Sequence, residues 1–258
     1  IPPDYWRNAV TRHDVTRRGL LGQSLGLVGA GLVSAGLGGH GQPARAATPK
    51  KPSGGRHKQP NILFIMADDM GYADSLAADG LRFMQGYANS AVCSATRTGL
   101  ITGRYQYRLP VGLEEPIGMR DIGLPPDHPT LPSLLRGLGY STTLIGKWHL
   151  GLLPKYGPLK SGYDHFWGFR GGGVDYFTHK YAGQHDLWDD DREIHEKGYL
   201  TDLLAERALE VIDGYAQTDK SFFISLHVNA PHWPWEGPAD EAEAIRLDAD
   251  GKPTALMH

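Results

Sequence analysis

Three short apolar runs frame the chain. They are Asn61-Ile62-Leu63-Phe64-Ile65-Met66, Tyr140-Ser141-Thr142-Thr143-Leu144-Ile145 and Phe222-Phe223-Ile224-Ser225-Leu226-His227-Val228. Runs of this length, rich in β-branched and aromatic residues, suit strands of a parallel sheet with both faces covered. The first is therefore expected to be a central strand. Helical patterns separate them. Residues 199–215 place Leu203, Leu204, Ala208, Val211 and Ile212 on one face at helical spacing, a core-packing helix. Thr130 is placed to cap a short helix that closes near Gly137. Strands alternating with helices predict an α/β fold with a doubly wound, mostly parallel sheet flanked by helices.

The first 60 residues break that pattern. Arg7, Arg12, Arg17 and Arg18 precede an apolar stretch from Leu20 to Leu37, and Ala44-Arg45-Ala46-Ala47 follows as a small-x-small cleavage pattern. Five glycines between Leu20 and Leu37 argue against a retained membrane anchor, because glycine lowers helix stability and apolar area together. Residues 1–47 thus read as an export signal. Thr16-Arg17-Arg18-Gly19-Leu20-Leu21 resembles a twin-arginine motif, which implies the twin-arginine export machinery as a partner and a periplasmic or extracellular destination. Residues 48–60, rich in Pro, Gly, Lys and His, read as a linker, leaving 61–258 as the main folded domain.

Composition adds bounds rather than detail. The chain has 258 residues, 40% of them hydrophobic, enough for one sizeable core. A net charge of -3 gives no argument for nucleic acid as a partner. A single cysteine excludes an internal disulfide framework.

That cysteine, Cys93, is expected at the N-terminus of a short helix closed by Gly103, where unpaired N–H groups and the helix dipole favour a thiolate or a bound anion, although the position taken alone reads first as a buried structural cysteine. Arg97 lies one turn on, toward the same side. Asp68 and Asp69 stand at the carboxyl end of the first apolar run, where open α/β sheets bind ligands, and paired hard oxygens suit Ca²⁺ or Mg²⁺. The second run delivers Lys147 and His149, two apart on an extended segment and so expected on one face. The third delivers His232, held between Pro231 and Pro234. His227 lies inside the strand and is the weaker candidate. The glycine- and aromatic-rich loop 161–183 offers Asp175 and His179 as substrate contacts, or else only packing.

Taken together, these stretches resemble the type I sulfatases. Cys93-Ser94-Ala95-Thr96-Arg97 with Leu100-Ile101-Thr102-Gly103-Arg104 is similar to the family's modification signature, with Ala95 where proline is commonest. Asp68-Asp69-Met70-Gly71-Tyr72, Lys147-Trp148-His149-Leu150-Gly151 and Pro231-His232-Trp233-Pro234 resemble three further motifs, in the family's order. The resemblance implies an alkaline-phosphatase-like domain. It implies oxidation of Cys93 to formylglycine by a formylglycine-generating enzyme, the hydrated aldehyde being the nucleophile. It implies a divalent cation, usually calcium, on Asp68, Asp69 and residue 93. Lys147 and His232 would bind the sulfate and leaving-group oxygens, His149 would sit against the diol, and the substrate would be a small-molecule or glycan sulfate ester.

The segment after Asp74 is shorter than the family's, running at once into a helix expected over 75–83. The chain is expected to be the N-terminal part of such an enzyme, with the smaller C-terminal domain missing. Two alternatives stay open: a phosphate or phosphonate ester hydrolase of the same superfamily, and a sulfatase-like fragment without activity.

Overall fold

In a computed structural model the described residues are 59–252, except 70–79, 82, 119, 153 and 182. The expectations of an export signal, and nearly all of the linker, fall outside them. So does most of the helix expected over 75–83, and the described residues Gly80, Leu81 and Phe83 are not helical. No helix of the described residues is long and apolar enough to cross a membrane.

The three apolar runs form strands β1 (Ile62–Ala67), β2 (Ser141–Lys147) and β8 (Phe222–Val228). Between the last two come β3 (His165–Phe169), β4 (Lys180–Tyr181), β5 (Gln184–His185), β6 (Trp188–Asp189) and β7 (Arg192–Glu193). The main sheet has the order β1-β8-β2-β3-β6-β7, and β4 and β5 pair apart from it. The first four strands of the main sheet run parallel and its last two are antiparallel. This is the doubly wound, mostly parallel sheet that the alternation of elements predicts.

Helices cover both faces. Leu144, Phe166 and Phe223 point into one core with Ile101 of helix α1 (Cys93–Thr102), Val111 of α2 (Pro110–Leu113) and the partly buried Leu135 of α3 (Leu131–Gly137). Their neighbours Ile145, Trp167, Phe222 and Ile224 point into the other core with Leu200, Leu204 and Ala208 of α4 (Leu200–Ala216). The alternation along each strand is what splits one apolar run between two cores. Thr130 caps α3 as expected, its side chain accepting from Ser133 N at 3.2 Å while Ser133 Oγ accepts from Thr130 N at 2.9 Å.

One expectation fails. Strand β1 is not central but lies at the edge of the sheet among the described residues, and Leu63 and Ile65 are 45% and 56% exposed. An apolar run reports what its two faces prefer, not how many strands flank it. The strands paired on both sides in the parallel part are β8, between β1 and β2, and β2, between β8 and β3. The carboxyl ends of β1, β8 and β2 still converge, and the candidate residues stand there. Gly146 makes that approach possible: with φ at 103°, a Cβ there would lie 2.0 Å from the His227 carbonyl oxygen.

Candidate active site

Cys93 opens helix α1, whose N-cap Val92 makes no side-chain capping bond, so its first turn presents free backbone donors. Gly103 closes the helix in the left-handed region, donating to Gly99 O at 2.9 Å. The expected thiolate is corrected by the surroundings. Burial pushes the Cys93 thiol up, as do the Asp68 and Asp69 charges, against the downward pull of Lys147 and Arg97. The unmodified side chain is therefore a neutral thiol at neutral pH, a poor nucleophile.

Beneath it lies a buried charge cluster. Asp68, 7% exposed, pairs with the Lys147 ammonium, which is wholly buried, and its Oδ1 stands 3.6 Å from Arg97 Nη2. Arg97 is 3% exposed. Its Nη1 donates to the Lys147 carbonyl at 2.8 Å and to His227 Nδ1 at 3.0 Å, while its Nη2 has no hydrogen-bond partner. Burial lowers the proton affinity of both cations. Two buried positive groups thus share one buried carboxylate. Burying charge without a full complement is costly, so the pocket is built to receive an anion.

His227 is the residue this site adds to those expected. The sequence makes it the weaker candidate because it sits in β8, yet that position puts its ring under Arg97. Burial and the Arg97 charge push it down to about 3, so it is neutral and accepts the guanidinium's hydrogen bond. No sequence signal distinguishes it from a core histidine.

Lys147 and His149 do join the same cluster, but not because an extended segment carries both. Lys147 ends β2, Trp148 is buried in the core beside α1, and His149 turns into the left-handed region at φ 55°. The turn is tied to the end of β3 by Trp148 N to Phe169 O at 2.9 Å and His149 N to Arg170 O at 3.1 Å. His149 is 3% exposed, and neither ring nitrogen has a partner. Burial, then Lys147 and Arg97, hold its proton affinity well below the ordinary histidine range, so it is a neutral imidazole. One of its nitrogens lies within 4.8 Å of Cys93 Sγ and a Glu115 oxygen. Glu115 is not foreseeable from sequence: it sits in an irregular loop with nothing in its neighbours to mark it.

His232 follows β8. Its Nδ1 donates to the Trp233 carbonyl at 2.6 Å, which fixes the tautomer and leaves Nε2 free, 3.9 Å from Asp69 Oδ2. Its loop is strapped to residues 173–176. Tyr176 Oη donates to His232 O at 2.9 Å, Tyr176 N to Glu236 Oε2 at 2.9 Å, and Asn229 Nδ2 to Val174 O at 3.3 Å. Atoms of Asp68, Cys93 and His232 lie within 4.8 Å of one another, a group able to hold a cation. The Asp69 side chain is outside that trio and 61% exposed.

The other two candidates take other places. Asp175 Oδ1 accepts from Phe177 N at 2.9 Å and Thr178 N at 2.7 Å, the bonds of a turn-holding carboxylate. His179 is 1% exposed and stands edge-on to His185, with ring centroids 6.4 Å apart. The bonds of Asp175 thus hold its own loop, and His179 packs against a ring of the neighbouring hairpin rather than joining Lys147 and Arg97.

The family model described as Sulfatase matches residues 60–251. The chain belongs to the sulfatase family. It is 32% identical to arylsulfatase J of Mus musculus, covering 73% of this chain and 35% of that protein. It is 30% identical to N-acetylglucosamine-6-O-sulfatase of Bacteroides thetaiotaomicron, covering 74% of this chain and 34% of that protein. Among solved structures it resembles Ps i-CgsB in complex with k-i-k-neocarrahexaose, at TM-score 0.64 and 30% identity, over 76% of this chain and 52% of that one. It also resembles BT4656 in complex with its substrate D-glucosamine-2-N,6-O-disulfate, at TM-score 0.55 and 29% identity, over 69% of this chain and 36% of that one. This sulfatase chain spans about a third of the length of those two curated relatives.

Proposed function

We propose that this chain carries the nucleophile and the anion pocket of a sulfate-ester hydrolase, acting on an aryl or carbohydrate sulfate. The observation that carries the reading is the charge imbalance under Cys93: two buried cations, Lys147 and Arg97, on one buried carboxylate, Asp68. A sulfate group set against them completes the balance. Two of the similar proteins carry names or titles with sulfated sugars, which supports a carbohydrate sulfate over other esters.

Oxidised by a formylglycine-generating enzyme and hydrated, residue 93 would supply a nucleophilic oxygen in place of the neutral thiol. Neutral His149, with both nitrogens free, is suited to take a proton from that oxygen. Lys147 and Arg97 hold sulfate oxygens and stabilise charge as it builds. His232 has Nδ1–H committed to Trp233, so it can give an Nε2 proton to the departing oxygen only as the imidazolium, with that nitrogen not bound to a cation. Residues 1–47 act as an export signal read by the twin-arginine machinery.

The donor set bears on the cation. With an intact thiol, Asp68, Cys93 and His232 are the mixed O, S, N donors that suit zinc. Replacing sulfur by oxygen, with Asp69 beside it, gives hard donors that suit Ca²⁺ or Mg²⁺. A cation held there would add positive charge against the sulfate.

The test is mass spectrometry of the tryptic peptide ending at Arg97, from protein made with its maturation enzyme, together with hydrolysis of p-nitrophenyl sulfate and p-nitrophenyl phosphate. An aldehyde in place of the thiol and preference for the sulfate ester are expected. A retained thiol, or preference for the phosphate, would overturn the reading.

A further inference from the structure

A second group of metal-ligating side chains lies where β5 leads into the β6–β7 hairpin and shares no residue with the site above. It comprises His185 at the end of β5, Glu193 at the end of β7 and His195 just beyond it. Glu193 Oε1 stands 3.2 Å from His185 Nδ1 and 3.8 Å from His195 Nε2, and the three atoms lie within 4.8 Å of one another. The two imidazoles are stacked at a tilt of 32° with centroids 4.1 Å apart. The hairpin pairing sets this up: Trp188 faces Glu193, and Ile194 N donates to Leu187 O at 2.9 Å, so both ends of the loop come together.

We infer that His185, Glu193 and His195 form a binding site for a divalent transition metal of the zinc type, which closes the hairpin. A tetrahedral zinc ion with bonds of about 2.0–2.1 Å holds its ligand atoms about 3.3 Å apart. Two separations here, 3.2 and 3.8 Å, are close to that, and the third, between the two imidazole nitrogens, is within 4.8 Å and closes by side-chain rotation. Two nitrogens and one carboxylate oxygen also favour zinc, cobalt, nickel or copper over calcium and magnesium. Three protein ligands leave a fourth position for water.

A plain ion-pair network accounts for the group less well. His185 Nδ1 is shut off from solvent and has no hydrogen-bond partner, with Glu193 Oε1 3.2 Å away. An imidazole nitrogen that is shut off from solvent, unpartnered and next to a carboxylate is what a metal ligand looks like without its ion. Two protonated rings at this spacing would repel each other, whereas two neutral rings can share one cation. His179 packs edge-on behind His185.

The test uses the untagged chain, stripped of metal and titrated with Zn²⁺ against a chromogenic chelator, beside His195→Ala and Glu193→Gln. His195 is 74% exposed, so its removal leaves the fold intact. Wild type is expected to bind zinc at least about tenfold more tightly than either variant at this site, a loss no smaller than that of an outer-shell partner. Millimolar Ca²⁺ is expected not to compete. Co²⁺ should give a tetrahedral visible spectrum without a sulfur charge-transfer band, which separates this site from one using Cys93. Zinc affinity and stoichiometry unchanged in both variants, or no zinc bound by wild type, would overturn the assignment.

Discussion

Gly172 lies flat against the imidazole of His149. A Cβ on it would stand 2.9 Å from Cε1 and 3.0 Å from Nε2, and a Cβ on Gly173 would stand 3.0 Å from His232 Cε1. The triple-glycine turn is thus a bare backbone wall that lets both histidines approach Cys93. Gly172→Ala is expected to push His149 aside while leaving the sheet intact. A displacement near 1 Å costs about 100-fold in rate. Kinetics on an aryl sulfate, with circular dichroism as control, check it: near-normal activity in Gly172→Ala and Gly173→Ala would show that the rings tolerate the shift.

Asp68 holds two buried cations, and its removal tests that burden directly. Asp68→Ala leaves the Lys147 ammonium and the Arg97 guanidinium without their carboxylate in a site of under 10% exposure. Breaking a buried pair in this way destabilises by roughly 3–5 kcal/mol. Urea unfolding measures it. Sulfate added to the variant should recover part of the loss, because an anion that binds only the folded state stabilises it. A loss under about 1 kcal/mol would mean that one cation is already neutral.

Much of the fold and the site is legible in the sequence, and what is not has a physical cause. The apolar runs and the period of residues 199–215 locate the strands and the long helix, because burial is written in side-chain type. Edge position is not written there, which is why β1 reads as central. Cys93, Arg97, Asp68, Lys147, His149 and His232 stand out at strand ends and one helix start. His227 and Glu115 do not, since a histidine within a strand and a glutamate in a loop look the same whether or not they face a site. The thiolate expectation fails because a local helix-end argument omits the burial that the whole fold imposes.

Glu236 is a buried acid with a measurable pH signature. Burial, and then the nearby Asp175 carboxylate, push it up to about 8, against the Tyr176 N–H that favours its ionised form. A folded-state value above the ordinary 4.5 means that the native protein holds this proton more tightly than the unfolded chain. The stability it contributes is therefore full below about pH 4.5 and is lost as pH rises toward 8. Glu236→Gln should flatten that fall and melt above wild type at pH 8.5. Parallel thermal melts from pH 5 to 9 check it; identical slopes would place the Glu236 carboxyl in its ordinary range.

Asp186 is the strap that holds the glycine turn in place. Its Oδ1 accepts from Arg170 N at 3.0 Å and from Trp188 Nε1 at 2.7 Å, and its Oδ2 accepts from Gly171 N at 2.7 Å. Asp186→Ala frees three donors at once, two of them in the backbone leading to Gly172 and Gly173. Each donor left unsatisfied costs about 1–3 kcal/mol when buried, less where water enters. The expected result is a drop of a few kcal/mol in stability together with a fall in kcat, because the wall behind His149 and His232 loosens. Asp186→Asn keeps an oxygen acceptor and should retain more of both. Hydrogen exchange at Gly171 is the decisive readout: fast exchange in the alanine variant with protection kept in the asparagine variant is expected, and equal protection in both would mean that the turn stands without the carboxylate.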